Sequence, residues 1–122
     1  MINFRRLAKS FKYAFAGWQK VFWSEQNFRI HNLIALVILI LAIFFRIDVL
    51  EFIIIVFIIG FIFILEIVNT IFERLLDLIK PRFHSYVQDI KDMTAAIVLI
   101  GSLVAVIVGF LIFYPYFLSL II

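Results

Sequence analysis

An all-α integral-membrane domain is the fold that these 122 residues predict, and three observations predict it. Hydrophobic residues make up 66% of the chain, well above the roughly 45–50% of soluble domains. Two prolines and four glycines leave little material for a loop-rich fold, and the absence of cysteine removes disulfide frameworks, thiolate zinc sites and cysteine nucleophiles together. The few charges fall between long apolar runs, so chemistry has to come from the polar residues that interrupt those runs.

The N-terminal segment, residues 1–24, reads as an amphipathic surface helix. At 100° per residue Phe4, Leu7, Ala8, Phe11, Phe15, Trp18 and Phe22 share one stripe, while Arg5, Arg6, Lys9, Lys12 and Lys20 gather opposite. That pattern suits a helix lying on an anionic leaflet. The segment lacks the continuous apolar stretch of a signal peptide.

Three transmembrane helices are expected at about 28–48, 52–79 and 92–115. The first is built on the uncharged run 32–45, extended by Phe28 and Ile30 before it and by Ile47, Val49 and Leu50 after it, with Arg29 and Arg46 snorkelling to the interfaces. The second continues from the run 52–65 past Glu66, keeping apolar residues at helical spacing until Pro81 stops it. The third lies in thirty uncharged residues, 93–122, and carries Gly101, Ala105 and Gly109 at fours with Ala95 and Ser102 nearby, a small-residue face over which another helix can approach closely. Three helices make a thin bundle, so a homo-oligomer is expected to bury that face between subunits.

Basic residues set the orientation. Six lie before or at the start of the first span, four (Arg74, Lys80, Arg82 and Lys91) lie around the connection between the second and third, and only Arg46 lies between the first and second. By the positive-inside rule the N-terminus and the second loop are cytoplasmic and the C-terminus is outside.

The second span carries the most informative residues. Glu66, Asn69, Glu73 and Asp77, spaced 3, 4 and 4 apart, form one stripe. Counting ~1.5 Å per residue from Phe52 sets Glu66 ~21 Å across the bilayer, and an ionisable group at that depth costs about 2.5–3.5 kcal/mol, which marks it as functional. Glu25, Arg29 and Asn32 share a face at the entrance to the first span, and Gln88, Lys91 and Asp92 share one at the entrance to the third. Converging carboxylates can hold Mg²⁺ together with substrate phosphates, nearby cations can neutralise phosphate oxygens, and a deeper carboxylate suits general-base work. These are the parts of a phosphoryl-transfer site. Ordinary interface ion pairs, Glu25 with Arg29 and Lys91 with Asp92, are the competing reading. His31 and His84 are each solitary in sequence, and no phosphate-binding glycine loop is present.

The strings SFKYAFAGW (10–18), EQNFRIH (25–31), EIVNTIFERLLD (66–77), the histidine at His84 and KDMTAA (91–96) closely resemble the prokaryotic diacylglycerol kinase family in order, spacing and content, over residues from about 6 to 115. The resemblance implies a homotrimer of three-helix subunits in the bacterial inner membrane that phosphorylates a lipid alcohol with ATP and Mg²⁺ at the cytoplasmic face. It implies that Glu66 is the catalytic base supported by Asn69, and that Glu25 and Glu73 hold the metal. Lys91 and Asp92 match nucleotide contacts, and Arg6, Tyr13, Asp77, Arg82 and His84 are placed with them. Arg29, His31 and Trp18 are expected to meet the lipid. Where enterobacterial members have a glutamine and an acid after the arginine, this chain has Ile30 and His31; FRIH, SFKYAF and Pro115 are similar to the Gram-positive branch whose substrate is undecaprenol. Undecaprenol is therefore the expected substrate and diacylglycerol the alternative. No nucleic-acid partner is expected. A small proton-coupled transporter using Glu66, or a non-catalytic membrane subunit, are the rival classes; neither needs Glu25, Lys91 and Asp92 gathered at one face.

Overall fold

The computed structural model describes residues 1–80, 82 and 84–122, and its regular structure is helical: α1 (Phe4–Ser24), α2 (Gln26–Phe44), α3 (Val49–Ile79) and α4 (His84–Ile121). The last three are long and apolar enough to cross a membrane. At ~1.5 Å per residue, α2 with 19 residues just matches a ~30 Å hydrocarbon core. The 31 residues of α3 and 38 of α4 exceed it by several turns. Glu73, Asp77, Lys91 and Asp92 lie in that surplus and define the polar end of the bundle.

Helix α1 starts at Asn3, whose side chain accepts a bond from the Arg6 N–H at 3.1 Å. It is largely exposed, and Val21 is its buried residue. Phe15, Trp18 and Phe22 stack in a row with ring centres 5.9 and 5.0 Å apart, the aromatic stripe expected from spacing. Glu25 ends the helix by taking an extended backbone, φ −116 and ψ 114, and α2 begins at the next residue. Two carbonyls left over at that break, those of Phe22 and Trp23, each accept a bond of 2.9 Å from the Arg29 guanidinium. The fully buried Phe28 then ties three helices together, meeting Trp18 edge-on at 6.3 Å and Phe63 of α3 at 5.5 Å.

The first span stops earlier than its apolar content suggests. Instead of running to residue 48, α2 ends at Phe44, and Arg46 takes φ 52, the left-handed position usually given to glycine. The Arg46 N–H bonds to Ile43 O at 3.2 Å and the Ile47 N–H to Ala42 O at 3.3 Å, the paired bonds of a Schellman termination. Ile47 thus folds back onto the core instead of extending the helix. Helix α3 opens at once: Asp48 precedes it, and its N–H donates to the Glu51 carboxylate at 3.2 Å. At the other end α3 finishes at Ile79; Pro81, the expected stop, lies outside the described residues. The third span begins earlier and ends later than expected, and Pro115 lies within it.

Helix α3 is the centre of the subunit and packs on each of the other three. Opposite the polar end, Ala42, Ile55, Ile112 and Phe113 form a buried cluster. Phe45 closes it with its ring 4.9 Å from that of Phe117, and the Tyr116 hydroxyl donates to Glu51 across the α3–α4 contact. Gly101 of α4 faces α3 within the same chain, where a Cβ would stand 2.6 Å from Leu65 Cδ1. Ser102, Ala105 and Gly109 instead line an apolar cavity of about 530 Å³ between α2 and α4, floored by α3. The small-residue face expected to pack between subunits is therefore divided, with Gly101 spent inside the subunit and the rest open to a groove. Only 17, 17 and 11% of the three apolar spans is buried within the chain, so lipid or further copies must cover the remainder.

Candidate active site

The polar end collects charge from α2, α3, α4 and Glu25, the residue that joins α1 to α2. Glu66 of α3 is only 3% exposed, and His31 of α2 brings its Nδ1 to 2.8 Å from the Glu66 Oε1. The approach is off the line of a regular hydrogen bond, and neither atom has a hydrogen-bond partner among the described residues. One turn along α3, the Thr70 hydroxyl donates to the Glu66 carbonyl at 2.9 Å, keeping that buried hydroxyl within its own helix. The Asn69 amide donates to Glu73 at 3.3 Å rather than reaching Glu66, and its Oδ1 is buried without a partner among the described residues.

Glu25 lies between the helices, at the one residue joining α1 to α2. Partial burial pushes its carboxyl above the ordinary carboxylate range, and the nearby Glu73 charge pushes it the same way, against the pull of Arg74 and Arg29. An acid whose ionisation is opposed by a second carboxylate makes a place where a cation is welcome. The donor set fits Mg²⁺, a hard ion that takes oxygen ligands from one or two carboxylates and from phosphates. Glu25 and Glu73 supply the carboxylates, and the unsatisfied Asn69 oxygen lies beside Glu73. Among the described residues no group of three or more acidic, histidine or cysteine side chains converges on one point.

Farther out, Lys91 Nζ of α4 and Asp77 Oδ1 of α3 form an ion pair of 2.6 Å. Asp92 accepts from Gln88 at 2.9 Å along its own helix. Both differ from the pairing suggested by neighbouring positions in sequence, because residues 91 and 92 point about 100° apart on a helix. The Arg29 guanidinium likewise caps α1 instead of pairing with the Glu25 carboxylate. Trp18 packs against Phe28 and is half-buried. Asn32 bonds back to the Phe28 carbonyl at 2.7 Å. Arg6 and Tyr13 are exposed on α1, and Arg82 and His84 are exposed at the turn into α4. The subunit taken singly gathers Glu25, His31, Glu66, Asn69 and Glu73, and the charges that act on Glu25 and Glu66 come from Arg29, His31, Arg74 and the acids themselves rather than from Arg6 or His84.

Two features escape sequence reasoning. Arg74 donates from Nη2 to Ser24 Oγ at 3.0 Å and acts on Glu25, although in sequence it counts only as a topology marker. The His31–Glu66 contact joins residues on different helices, and only the helical phase of both could have suggested it. His31 is also the polar residue at the inner limit of the apolar groove, so the groove leads to the Glu66 pair.

Comparison with known proteins identifies the family. The profile of the prokaryotic diacylglycerol kinase family matches residues 12–113. The undecaprenol kinase of Bacillus subtilis (strain 168) is 34% identical over 110 residues, 90% of this chain and 89% of that protein. The diacylglycerol kinase of Synechocystis sp. is 32% identical over 93% of this chain and 66% of its own length. The diacylglycerol kinase of Escherichia coli (strain K12) is 27% identical over 94% of both. No solved structure matches significantly. The chain belongs to the prokaryotic diacylglycerol kinase family and is a multi-pass membrane lipid kinase.

Proposed function

We propose that the protein transfers the γ-phosphate of ATP to the hydroxyl of undecaprenol, making undecaprenyl phosphate at the cytoplasmic face of the bacterial inner membrane. The observation that carries this reading is the apolar groove between α2 and α4, whose wall includes His31, the residue in contact with Glu66. A groove of about 530 Å³ suits the first stretch of one chain, with the remainder of a long polyprenol lying in lipid. Diacylglycerol brings two chains to the same hydroxyl. The likeness to the Bacillus subtilis undecaprenol kinase supports the same choice.

The chemistry follows from the depth of each group. The lipid hydroxyl stops where the apolar wall gives way to His31 and Glu66, and the base that takes its proton is in that pair. Glu25 and Glu73, nearer the water, are the residues that hold Mg²⁺, with Asn69 fixing the Glu73 carboxylate. When bound, the ion neutralises phosphate charge and orients the γ-phosphoryl group. Lys91, Asp92 and Asp77 bind the nucleotide at the mouth of the site, with Arg6, Tyr13, Arg82 and His84 brought to it in a homotrimer, where neighbouring copies cover the apolar surface left bare on one subunit.

The orientation rests on the basic residues, and a cysteine at Ser119 that reacts only in opened cells would contradict it. Purified protein in mixed micelles, supplied with Mg-ATP and undecaprenol or diacylglycerol at matched mole fraction, tests the substrate. Faster turnover of undecaprenol is expected. Preference for diacylglycerol overturns the proposal.

A further inference from the structure

The two acids that would hold the ion come from different elements, and the bond that relates them joins their neighbours in sequence. Glu73 belongs to α3, whereas Glu25 is the extended residue between α1 and α2. Arg74, which follows Glu73, donates from Nη2 at 3.0 Å to the hydroxyl of Ser24, which precedes Glu25. Among the described residues this is the one side-chain hydrogen bond between α1 and α3. The Ser24 hydroxyl turns its own proton back to the Val21 carbonyl, at 3.4 Å, and so offers a lone pair to the guanidinium. The same carbonyl accepts the Glu25 N–H at 2.9 Å. A continuous path thus runs from the residue after one acid to the backbone of the other. From the α2 side Arg29 clasps the carbonyls of Phe22 and Trp23, so the three residues before Glu25 each accept a bond from a guanidinium.

We propose that Arg74 is a positioning residue for the metal site, setting the separation of Glu25 and Glu73 by tying Ser24 to α3. The inference rests on the reading that these two acids hold Mg²⁺. Both ends of the tie are exposed, so water competes for it and its contribution to stability is small. Its role is geometric. Helix α1 is largely exposed, with Val21 its buried residue, so packing does little to fix its last turn against α3. Mg²⁺ demands near-octahedral oxygen ligands, and the groups behind a ligand tune affinity by holding it in place. A last turn that drifts would carry Glu25 away from Glu73. The Arg74 charge also acts on Glu25, so the test has to separate the tie from the charge.

Substitution at each end of the bond makes that separation. Ser24→Ala removes the acceptor and leaves the Arg74 charge, whereas Arg74→Gln removes the charge and shortens the donor. Both side chains are exposed, so neither change should disturb folding. Mn²⁺ in place of Mg²⁺, with the non-transferable β,γ-methylene analogue of ATP, is titrated into purified protein in detergent, and binding is read without turnover from loss of the free-ion EPR signal. Each variant should bind Mn²⁺ roughly three- to tenfold more weakly than the parent protein, with the double variant no worse than the poorer single one. In the lipid kinase assay the half-saturating Mg²⁺ should rise by the same factor while the lipid KM stays within roughly twofold. Ser24→Ala binding less than about threefold more weakly overturns the proposal, and an effect confined to Arg74→Gln assigns it to charge instead. Glu25→Ala checks the reading underneath. Unchanged Mn²⁺ binding in that variant sinks the metal assignment and the tie together, whereas weakened binding there with normal binding in Ser24→Ala and Arg74→Gln sinks the tie alone.

Discussion

The two ends of the bundle are built to opposite rules. At the end away from Glu25, Glu66 and Glu73, backbone and side chains are matched: a Schellman termination closes α2, a carboxylate caps the start of α3, and Tyr116 closes on Glu51 over a buried apolar cluster. At the polar end Glu25 and Glu73 oppose one another, Asn69 keeps an unused oxygen, and an acid is buried in hydrocarbon beside a histidine. Matched polar groups are concentrated away from the proposed site, and the buried polar atoms without a partner among the described residues lie within it. Changes at one end should therefore move turnover, and changes at the other should move stability.

The largest effect expected is from Glu66→Gln. Loss of the carboxylate should lower kcat by about 10²–10⁴ while thermal stability in detergent holds or rises, because a buried charge is removed. Turnover within tenfold of the parent protein would dissolve the distinction between the ends. Next come Glu25→Ala and Glu73→Ala, each of which should raise the Mg²⁺ concentration needed for half-maximal rate by an order of magnitude or more. The double variant should be little worse than the poorer single one if both acids hold one ion; additive losses, read from Mg²⁺ titrations, would separate them.

From the other end, Ile112→Ala, in the buried cluster and outside the groove lining, should cost about 3 kcal/mol in reversible detergent unfolding through the cavity it leaves, with turnover per folded molecule nearly unchanged. Ala105→Leu lies between the two regions. Filling the groove should raise the lipid KM roughly tenfold with little change in the ATP KM, an effect of about 1.4 kcal/mol. A smaller oligomer on a sizing column with an unaltered lipid KM would move residue 105 from the groove to a subunit contact. The smallest effect is expected at Arg46→Gly, which relieves the left-handed backbone and should add between a few tenths and ~1 kcal/mol to stability, measured by the same unfolding assay.

Much of the architecture is legible in the sequence because hydropathy and helical phase dominate in a membrane. The apolar runs mark which segments become α2, α3 and α4, and spacing alone sets Glu66, Asn69 and Glu73 on one face of their helix. What is not legible depends on matching one helix to another. Apolar content continues through Ile47, Val49 and Leu50, so nothing in composition signals that Arg46 turns left-handed and ends the first span. Arg29 reads as free to meet lipid or Glu25, but the break at Glu25 creates open carbonyls that claim it. The stripe of Gly101, Ala105 and Gly109 is real as a pattern, yet only the position of Leu65 assigns Gly101 to the subunit's own interior. The contact between His31 and Glu66 requires the register of α2 against α3, which no single-helix pattern contains.

The groove that separates α2 from α4 runs along the length of the spans, and its placement changes what concentration means for this enzyme. A substrate whose tail stays in hydrocarbon reaches such a site by moving sideways in the plane of the bilayer, never by crossing bulk water. Its abundance is then counted per lipid neighbour. Adding inert detergent or phospholipid at fixed substrate amount should slow the reaction by surface dilution, even though the number of substrate molecules per millilitre is unchanged, whereas the ATP dependence keeps its ordinary three-dimensional form.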